Sequence, residues 1–392
     1  MRRFDTITLA ATLALTVTAA LAGPEEAPAD AWPMMRGTLA GTGRSVTRLS
    51  FPLVEAWHRT FDKSAFEATP VVAGVTIYIG DLDGTFHAIA LDTGETRWTF
   101  KTDVGFPAAA AVSTDTAVPL VVVGDAEGIV RAIDRETGHV RWEYRTEAEI
   151  SGGPTIMASD DGPRVLVGSQ DATLACLRLV DGMAVWRHEI TDQIRCSPTV
   201  AEGVVFVAGC DGNLHVINAT TGNESAAVPI DGPTGTTPAA HDGRVFFGTE
   251  GGIFYGIDVA PAEEAWRTAT GVKGRAYRSS AAIAGDLAIV GSRGRAIEAF
   301  SQTDGSQRWR HPMRGRVDAS PLVVHVGDGD REAIVVGDSA GRIVAVDAAS
   351  GIPIWEFDAG GDFVGGAAVA DGRVVLAGGD GTIWCFAQSP AK

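Results

Sequence analysis

Leu120-Val121-Val122-Val123-Gly124-Asp125-Ala126-Glu127-Gly128-Ile129-Val130-Arg131-Ala132-Ile133-Asp134-Arg135-Glu136-Thr137-Gly138-His139-Val140-Arg141-Trp142 carries the whole architecture in one unit. An apolar run, a glycine-bearing turn, a second strand and another turn lead into an outer strand that holds a tryptophan. At the second turn the Asp134 and Thr137 side chains can bond nearby backbone amides, which favours a tight reversal. The same apolar-run-to-glycine step recurs at Gly80, Gly124, Gly168, Gly209, Gly248, Gly291, Gly337 and Gly378, at intervals of 44, 44, 41, 39, 43, 46 and 41 residues. A strand-rich period of roughly 40–50 residues is the mark of a propeller array. One such unit cannot bury its own apolar face, so neighbouring units must stack.

The tryptophan returns in register at Trp57, Trp98, Trp142, Trp186, Trp266, Trp309 and Trp355, with Ala226 at the one position that lacks it. A flat indole suits the gap between twisted sheets packed face to face, so these residues are expected as structural docking points. Ahead of each apolar run lies a group of small residues, such as Gly152-Gly153-Pro154 and Cys196-Ser197-Pro198. Small side chains suit strands that converge on a common axis. The last unit stops at Phe386 after three strands, and Leu53 to Phe61, with Trp57, can supply the fourth. The expectation is an all-β fold: a single eight-bladed β-propeller of four-stranded antiparallel blades, closed by the N-terminal strand completing the last blade. Residues 1–22 are assigned to a signal peptide, 23–50 to an N-terminal linker and lead-in, and 51–388 to the propeller.

Arg2 and Arg3 precede an apolar stretch, Ile7 to Ala19, and Ala20-Leu21-Ala22 offers a small-x-small cleavage site. This pattern reads as an export signal, too short for a comfortable membrane span. The expected location is therefore periplasmic or extracellular. Pro24, not cysteine, follows Gly23, so no lipid anchor is expected at the cleavage site. A net charge of −17 argues against nucleic acid as a partner. Against that background, Ala265 to Arg316 holds ten basic residues and three acidic ones. Lys273, Arg275, Arg293 and Arg295 are the candidate basic docking patch, for an envelope protein or an acidic polymer; the alternative is that these side chains pair with acids of neighbouring blades. Among the four cysteines, Cys196 and Cys210 flank a hairpin turning at Glu202-Gly203, about one residue out of register; a bulge would let them bond, and without it the geometry is poor. Cys176 and Cys385 read as buried thiols.

The search for chemistry finds little. The eight histidines show no HxH or HExxH spacing, and His87 and His215 hold one strand position in two non-adjacent repeats, so no shared metal is expected. Asp81-Leu82-Asp83-Gly84 reads as a β-turn, since the downstream Glu of a calcium loop is missing. No Gly-rich phosphate loop occurs. One constellation stands out. The position three before each inner-strand marker should reach the mouth of the axial channel, and it reads Glu67, Pro107, Ser151, Arg195, Gly235, Arg278, Asp318, Val364 around the ring. Glu67, Arg195, Arg278 and Asp318 are thus the candidate channel-mouth binding residues, against the alternative of solvated or mutual ion pairs.

Ala132-x-Asp134-x-x-Thr137-Gly138-x-x-x-Trp142 resembles the tryptophan-docking repeat of pyrroloquinoline-quinone (PQQ)-type eight-bladed propellers, and Ala345 to Trp355 is a near match. The resemblance spans about residues 32 to 386. One branch of that family comprises quinoprotein dehydrogenases with PQQ and calcium on the axis; the other comprises non-catalytic propellers resembling the scaffold lipoprotein of the outer-membrane β-barrel assembly machinery. The dehydrogenases characteristically place adjacent, disulfide-bonded cysteines over the cofactor, and no two cysteines here are adjacent. The short strand connections also resemble the scaffold branch. The resemblance therefore implies an exported, monomeric, non-enzymatic scaffold with no expected cofactor. The alternatives are a PQQ-dependent or degenerate oxidoreductase using the axial mouth, and a small-ligand or glycan sensor without turnover.

Overall fold

The computed structural model describes residues 27–269 and 275–389; the expected signal peptide and Lys273 lie outside the described residues. Every regular element among them is a β-strand. No helix of the described residues is long and apolar enough to cross a membrane. The strands form eight antiparallel four-stranded blades in chain order, spanning 71–101, 111–145, 155–189, 199–229, 239–269, 282–312, 322–358 and 368–388.

Three strands precede the first blade: β1 (Ala31–Trp32), β2 (Arg44–Leu49) and β3 (Leu53–Thr60). The third is the outer strand of blade eight, pairing with Thr382–Gln388 from Leu53↔Gln388 to Thr60↔Thr382. Closure by the N-terminal strand is thus as the sequence implies, and it joins the two ends of the chain in one blade.

In every blade one β-bulge sits just before the tryptophan position. In blade two, for example, Ala132 faces Trp142 but Ile133 faces Val140, leaving Arg141 unpaired in the ladder. Such a bulge increases local twist and re-aims the strand. The residue opposite each indole is correspondingly small: Ala88, Ala132, Cys176, Gly256, Ala299, Ala345 and Cys385. Cys176 and Cys385 therefore fill this packing position as buried thiols. Where Ala226 replaces tryptophan, the opposing residue is the larger Val216.

Six of the seven indoles donate their Nε1–H to a carbonyl in the first turn residues of the next blade, at 2.7–3.2 Å: Trp57 to Leu91, Trp98 to Arg135, Trp142 to Leu179, Trp186 to Ala219, Trp266 to Gln302 and Trp309 to Ala348. Trp355 instead packs against Phe51, Phe357 and Phe386. The Asp134 turn behaves as its composition implies, with Oδ1 accepting from the Glu136 and Thr137 amides and from the Thr137 hydroxyl.

The lead-in has a structural role that its sequence does not announce. β1 adds antiparallel to Val71–Ala73 of blade one, and β2 adds parallel to Leu322–Val326 of blade seven. Between them the chain crosses the axis, accepting backbone hydrogen bonds from Val112, Val200, Ala240, Ile283 and Val323 at 2.7–2.9 Å. Leaving a buried amide unpaired costs about 1–3 kcal/mol, so these bonds tie the segment firmly to the inner strands. The Arg36 side chain is 2% exposed, donates to the Ala281 carbonyl at 2.9 Å, and has its pKa lowered to about 9 by burial. One end of the channel is thereby closed.

Candidate functional site

The open end of the axis is a cavity of about 410 Å³ floored by Met35 of the lead-in. All eight residues counted to the mouth line it: Glu67, Pro107, Ser151, Arg195, Gly235, Arg278, Asp318 and Val364. Each lies just upstream of an inner strand, so ring symmetry alone brings them together. Beneath them a belt of short side chains joins the blades. Ser197 N donates to Thr237 Oγ1 at 3.1 Å, Thr237 N to Ser280 Oγ at 2.9 Å, Ser280 N to Ser320 Oγ at 3.0 Å, and Gly366 N to Thr69 Oγ1 at 2.8 Å. Amides that close packing would otherwise orphan are satisfied there by the neighbouring blade's hydroxyl.

Three further charged residues reach the cavity without having been counted to it: Arg293, Arg316 and Asp362. Arg316 and Asp362 stand two residues before Asp318 and Val364, so a count carried further upstream would have found them. Arg293 follows the strand Leu287–Ser292, which runs antiparallel to the inner strand Ala282–Ala284 and so returns the chain to the mouth beside Arg278.

The charges are not equivalent. Arg293 grips Asp318 through Nε and Nη2, both at 2.9 Å, and this pairing raises the arginine pKa. Arg278 Nε lies 2.7 Å from Glu250. Arg195 bonds only the Gln193 side-chain oxygen, at 2.8 Å through Nε. Among the described residues, neither Arg195 nor Arg316 forms an ion pair within 4.0 Å, and neither do Glu67 and Asp362. The mouth is therefore electrically polarised: guanidinium groups from blades four, six and seven on one side, and two free carboxylates at blades eight and one on the other.

The basic segment divides in the same way. Arg267, Arg278, Arg293, Arg310 and Arg314 each pair with a carboxylate, at 3.4, 2.7, 2.9, 3.3 and 2.7 Å. Of the expected docking patch, Arg293 belongs to the axial cavity, Arg275 lays its side-chain stem against Gly294, and Arg295 is exposed at a turn. The net field of that patch is thus smaller than the composition suggests.

The Cys196–Cys210 bridge is not formed: both thiols are free. Cys196 is buried in the core between blades three and four, and burial pushes its pKa up to about 12. Cys210 lies past the end of the strand Val204–Ala208, with its sulfur 3.7 Å from the Thr234 carbonyl. The extra residue that would have restored register is absent at this hairpin, where Thr199 pairs with Phe206 without a shift. Asp81 is a turn residue, accepting from the Thr85 and Asp83 amides at 2.7 and 3.1 Å.

The cavity lining includes no aromatic ring, and among the described residues no three His, Cys, Asp or Glu side chains in mutual reach lie on it. A calcium ion takes 6–8 oxygen ligands. With Asp318 committed to Arg293 and with four guanidinium groups nearby, these residues do not fit a calcium-held quinone that needs a flat stacking surface.

Comparison with known proteins gives a consistent picture. The family model described as "Outer membrane protein assembly factor BamB" matches residues 54–152, 126–225, 202–324 and 293–391. No curated protein matches the chain. Among solved structures, BamB from Moraxella catarrhalis is similar, at 16% identity and TM-score 0.70, covering 86% of this chain and 100% of that one. Quinohemoprotein alcohol dehydrogenase from Comamonas testosteroni is 14% identical with TM-score 0.73, covering 92% and 82%. A europium-containing methanol dehydrogenase is 12% identical with TM-score 0.74, covering 91% and 98%. At these identities the structural likeness speaks to the fold alone, and one propeller serves both kinds of protein. The family model covers nearly the whole propeller, and the chain belongs to the family described as outer membrane protein assembly factor BamB.

Proposed function

We propose that the protein is an exported, non-enzymatic propeller whose axial mouth docks an acidic element of an envelope protein or polymer. One observation carries this reading: Arg195, Arg278, Arg293 and Arg316 converge on a single blind cavity in a chain of net charge −17, and two of them lack a carboxylate partner among the described residues. The arginine side of this polarised mouth, in an acidic molecule, gives an opposite charge one place to dock. The closed floor makes the axis a socket entered from one face. Export rests on the signal-like residues 1–22 and on the outer-membrane description of the family.

The rival reading, a quinone-linked oxidoreductase, draws support from the fold it shares with the dehydrogenases. The donor set around the cavity favours docking over it. A labelled deca-glutamate peptide serves as probe for the first reading. Its binding to the wild type should weaken with salt and fall at least roughly tenfold, the equivalent of about 1.4 kcal/mol, when Arg195 and Arg316 are both changed to Glu. Incubation with PQQ and calcium should yield no dye-linked alcohol oxidation. Probe binding indifferent to the double reversal, or PQQ-dependent turnover, would overturn the proposal.

A further inference from the structure

We infer that His188, His215 and Glu224 form a binding site for a divalent transition-metal ion, with Zn²⁺ the ion best suited to the donors, at the junction of blades three and four. One ligand atom from each side chain lies within 4.8 Å of the other two. His188 Nε2 stands 3.6 Å from Glu224 Oε2, and His215 Nδ1 stands 3.0 Å from Glu224 Oε1. Zinc bonds of about 2.0–2.1 Å in a tetrahedron set ligand atoms about 3.3–3.4 Å apart, between these two separations.

His215 is oriented from behind. Its Nε2 lies 3.0 Å from Asp211 Oδ2, and Asp211 in turn accepts from the Asn213 amide at 3.1 Å and the Thr191 hydroxyl at 3.2 Å. With Nε2–H donating to Asp211, the Nδ1 lone pair points at the Glu224 carboxylate. Two acceptors 3.0 Å apart are held together by a proton or by a cation. A carboxylate behind a histidine that faces a metal is a recurrent arrangement in metalloproteins, because it fixes the tautomer and raises ligand basicity. On the other side, His188 Nε2 is buried and has no hydrogen-bond partner. Histidine nitrogen and carboxylate oxygen together suit zinc better than calcium or magnesium. The Glu224 side chain is 31% exposed, which leaves the ion a path in and a coordination position facing solvent.

The docking geometry explains why the three meet. Trp186 lies over Gly222 of the next blade, and His188 and Glu224 each follow two residues later along their strands. Strand alternation keeps His188 on the same face as the indole. At other junctions the same two positions hold Arg59 and Thr96, or Tyr144 and Ala184, which offer no such pair. An ion at this place ties together the outer strands of two blades.

The test uses tag-free, full-length protein stripped with a chelator and titrated with Zn²⁺ alone, followed by calorimetry and metal analysis. One equivalent per chain is expected, with a rise in melting temperature. His188→Gln and Glu224→Gln should each abolish stoichiometric binding, and Asp211→Asn, acting through His215, should weaken it by roughly 10- to 100-fold. Circular dichroism of the stripped variants establishes that they fold. Co²⁺ added to the wild type gives an independent readout, the intense visible absorption of a four-coordinate site. Zinc uptake equal in wild type and both ligand variants, or the absence of that cobalt spectrum, overturns the inference and leaves His215 as a residue hydrogen-bonded between Asp211 and Glu224.

Discussion

The indole of Trp142 lies flat over Gly182 of the following blade, so close that a Cβ on that glycine would fall 2.6 Å from ring carbon Cε3. Gly182 is held at φ +72°, and the indole nitrogen reaches past it to the Leu179 carbonyl at 2.7 Å. One contact thus combines apolar burial, a satisfied polar atom and a backbone shape that excludes other side chains. It is the link that converts a string of weak blades into a ring.

Truncating Trp142 to Ala should destabilise the fold by roughly 3–5 kcal/mol, the usual effect of removing a large buried aromatic side chain. Gly182→Ala should also be destabilising, from positive φ and from the displaced indole. Urea midpoints of the two variants check this. A midpoint unchanged in either would mean that the blades are held together elsewhere.

The Asp134 carboxyl is held down to about 2, first by Arg141 Nη2 at 2.7 Å and then by the Thr137 and Glu136 groups, against an opposing push from burial. Its pKa in the folded state lies below the ordinary value of 3.8, so its contribution is present above that value and is lost as pH falls towards 2. Stability measured between these limits should fall less steeply in Asp134→Asn than in the wild type. Equal slopes would show that the turn carboxylate contributes nothing to acid unfolding.

Burial raises the pKa of the Cys176 thiol to about 11 and those of Cys196 and Cys385 to about 12. At pH 8 in the native state, a chromogenic thiol reagent should reach Cys210 alone, the partly exposed member of the set. After unfolding without reductant, all four cysteines should react. Recovery of only two would establish the Cys196–Cys210 bridge and contradict the arrangement seen here.

Arg293→Ala strips Asp318 of its two-point partner in a partly buried site and should cost on the order of 2–3 kcal/mol. Arg295→Glu, at an exposed turn, should leave the melting temperature unchanged. Reversal of Arg275 and Arg295 together decides the status of the basic segment. If deca-glutamate binding and its salt dependence survive that change, the segment is a solvated face and the axial mouth alone attracts anions.

Reading by repeat succeeded wherever the property of a residue depends on its position within one blade. The eight mouth positions were countable because every inner strand enters the axis in the same way, so an offset of three residues has one meaning around the ring. The indoles were equally countable. Their partners were not all named in advance, but small residues such as Ala132 opposite Trp142 are a visible part of the pattern. Arg293 escaped because it sits in the turn after the second strand, which the antiparallel return of the blade brings back beside the entrance of the inner strand. Whether Cys196 and Cys210 could bond, left open by the sequence, turned on the presence or absence of one bulge, a detail of register that composition does not encode.

The sequence by itself determined the number of blades, the closing strand, the docking tryptophans and the ring of residues at the mouth, because these follow from a period and from side-chain volume. The tertiary structure decided what no single repeat contains. It laid residues 27–49 across one end of the axis, paired Arg293 with Asp318 while leaving Arg195 and Arg316 without a carboxylate partner among the described residues, and set His188 against His215 and Glu224. Those outcomes depend on contacts between segments distant along the chain, where a shift of one residue or the reach of one side chain changes the partner. Local pattern fixes where a strand goes, and only the closed ring fixes what its side chains meet.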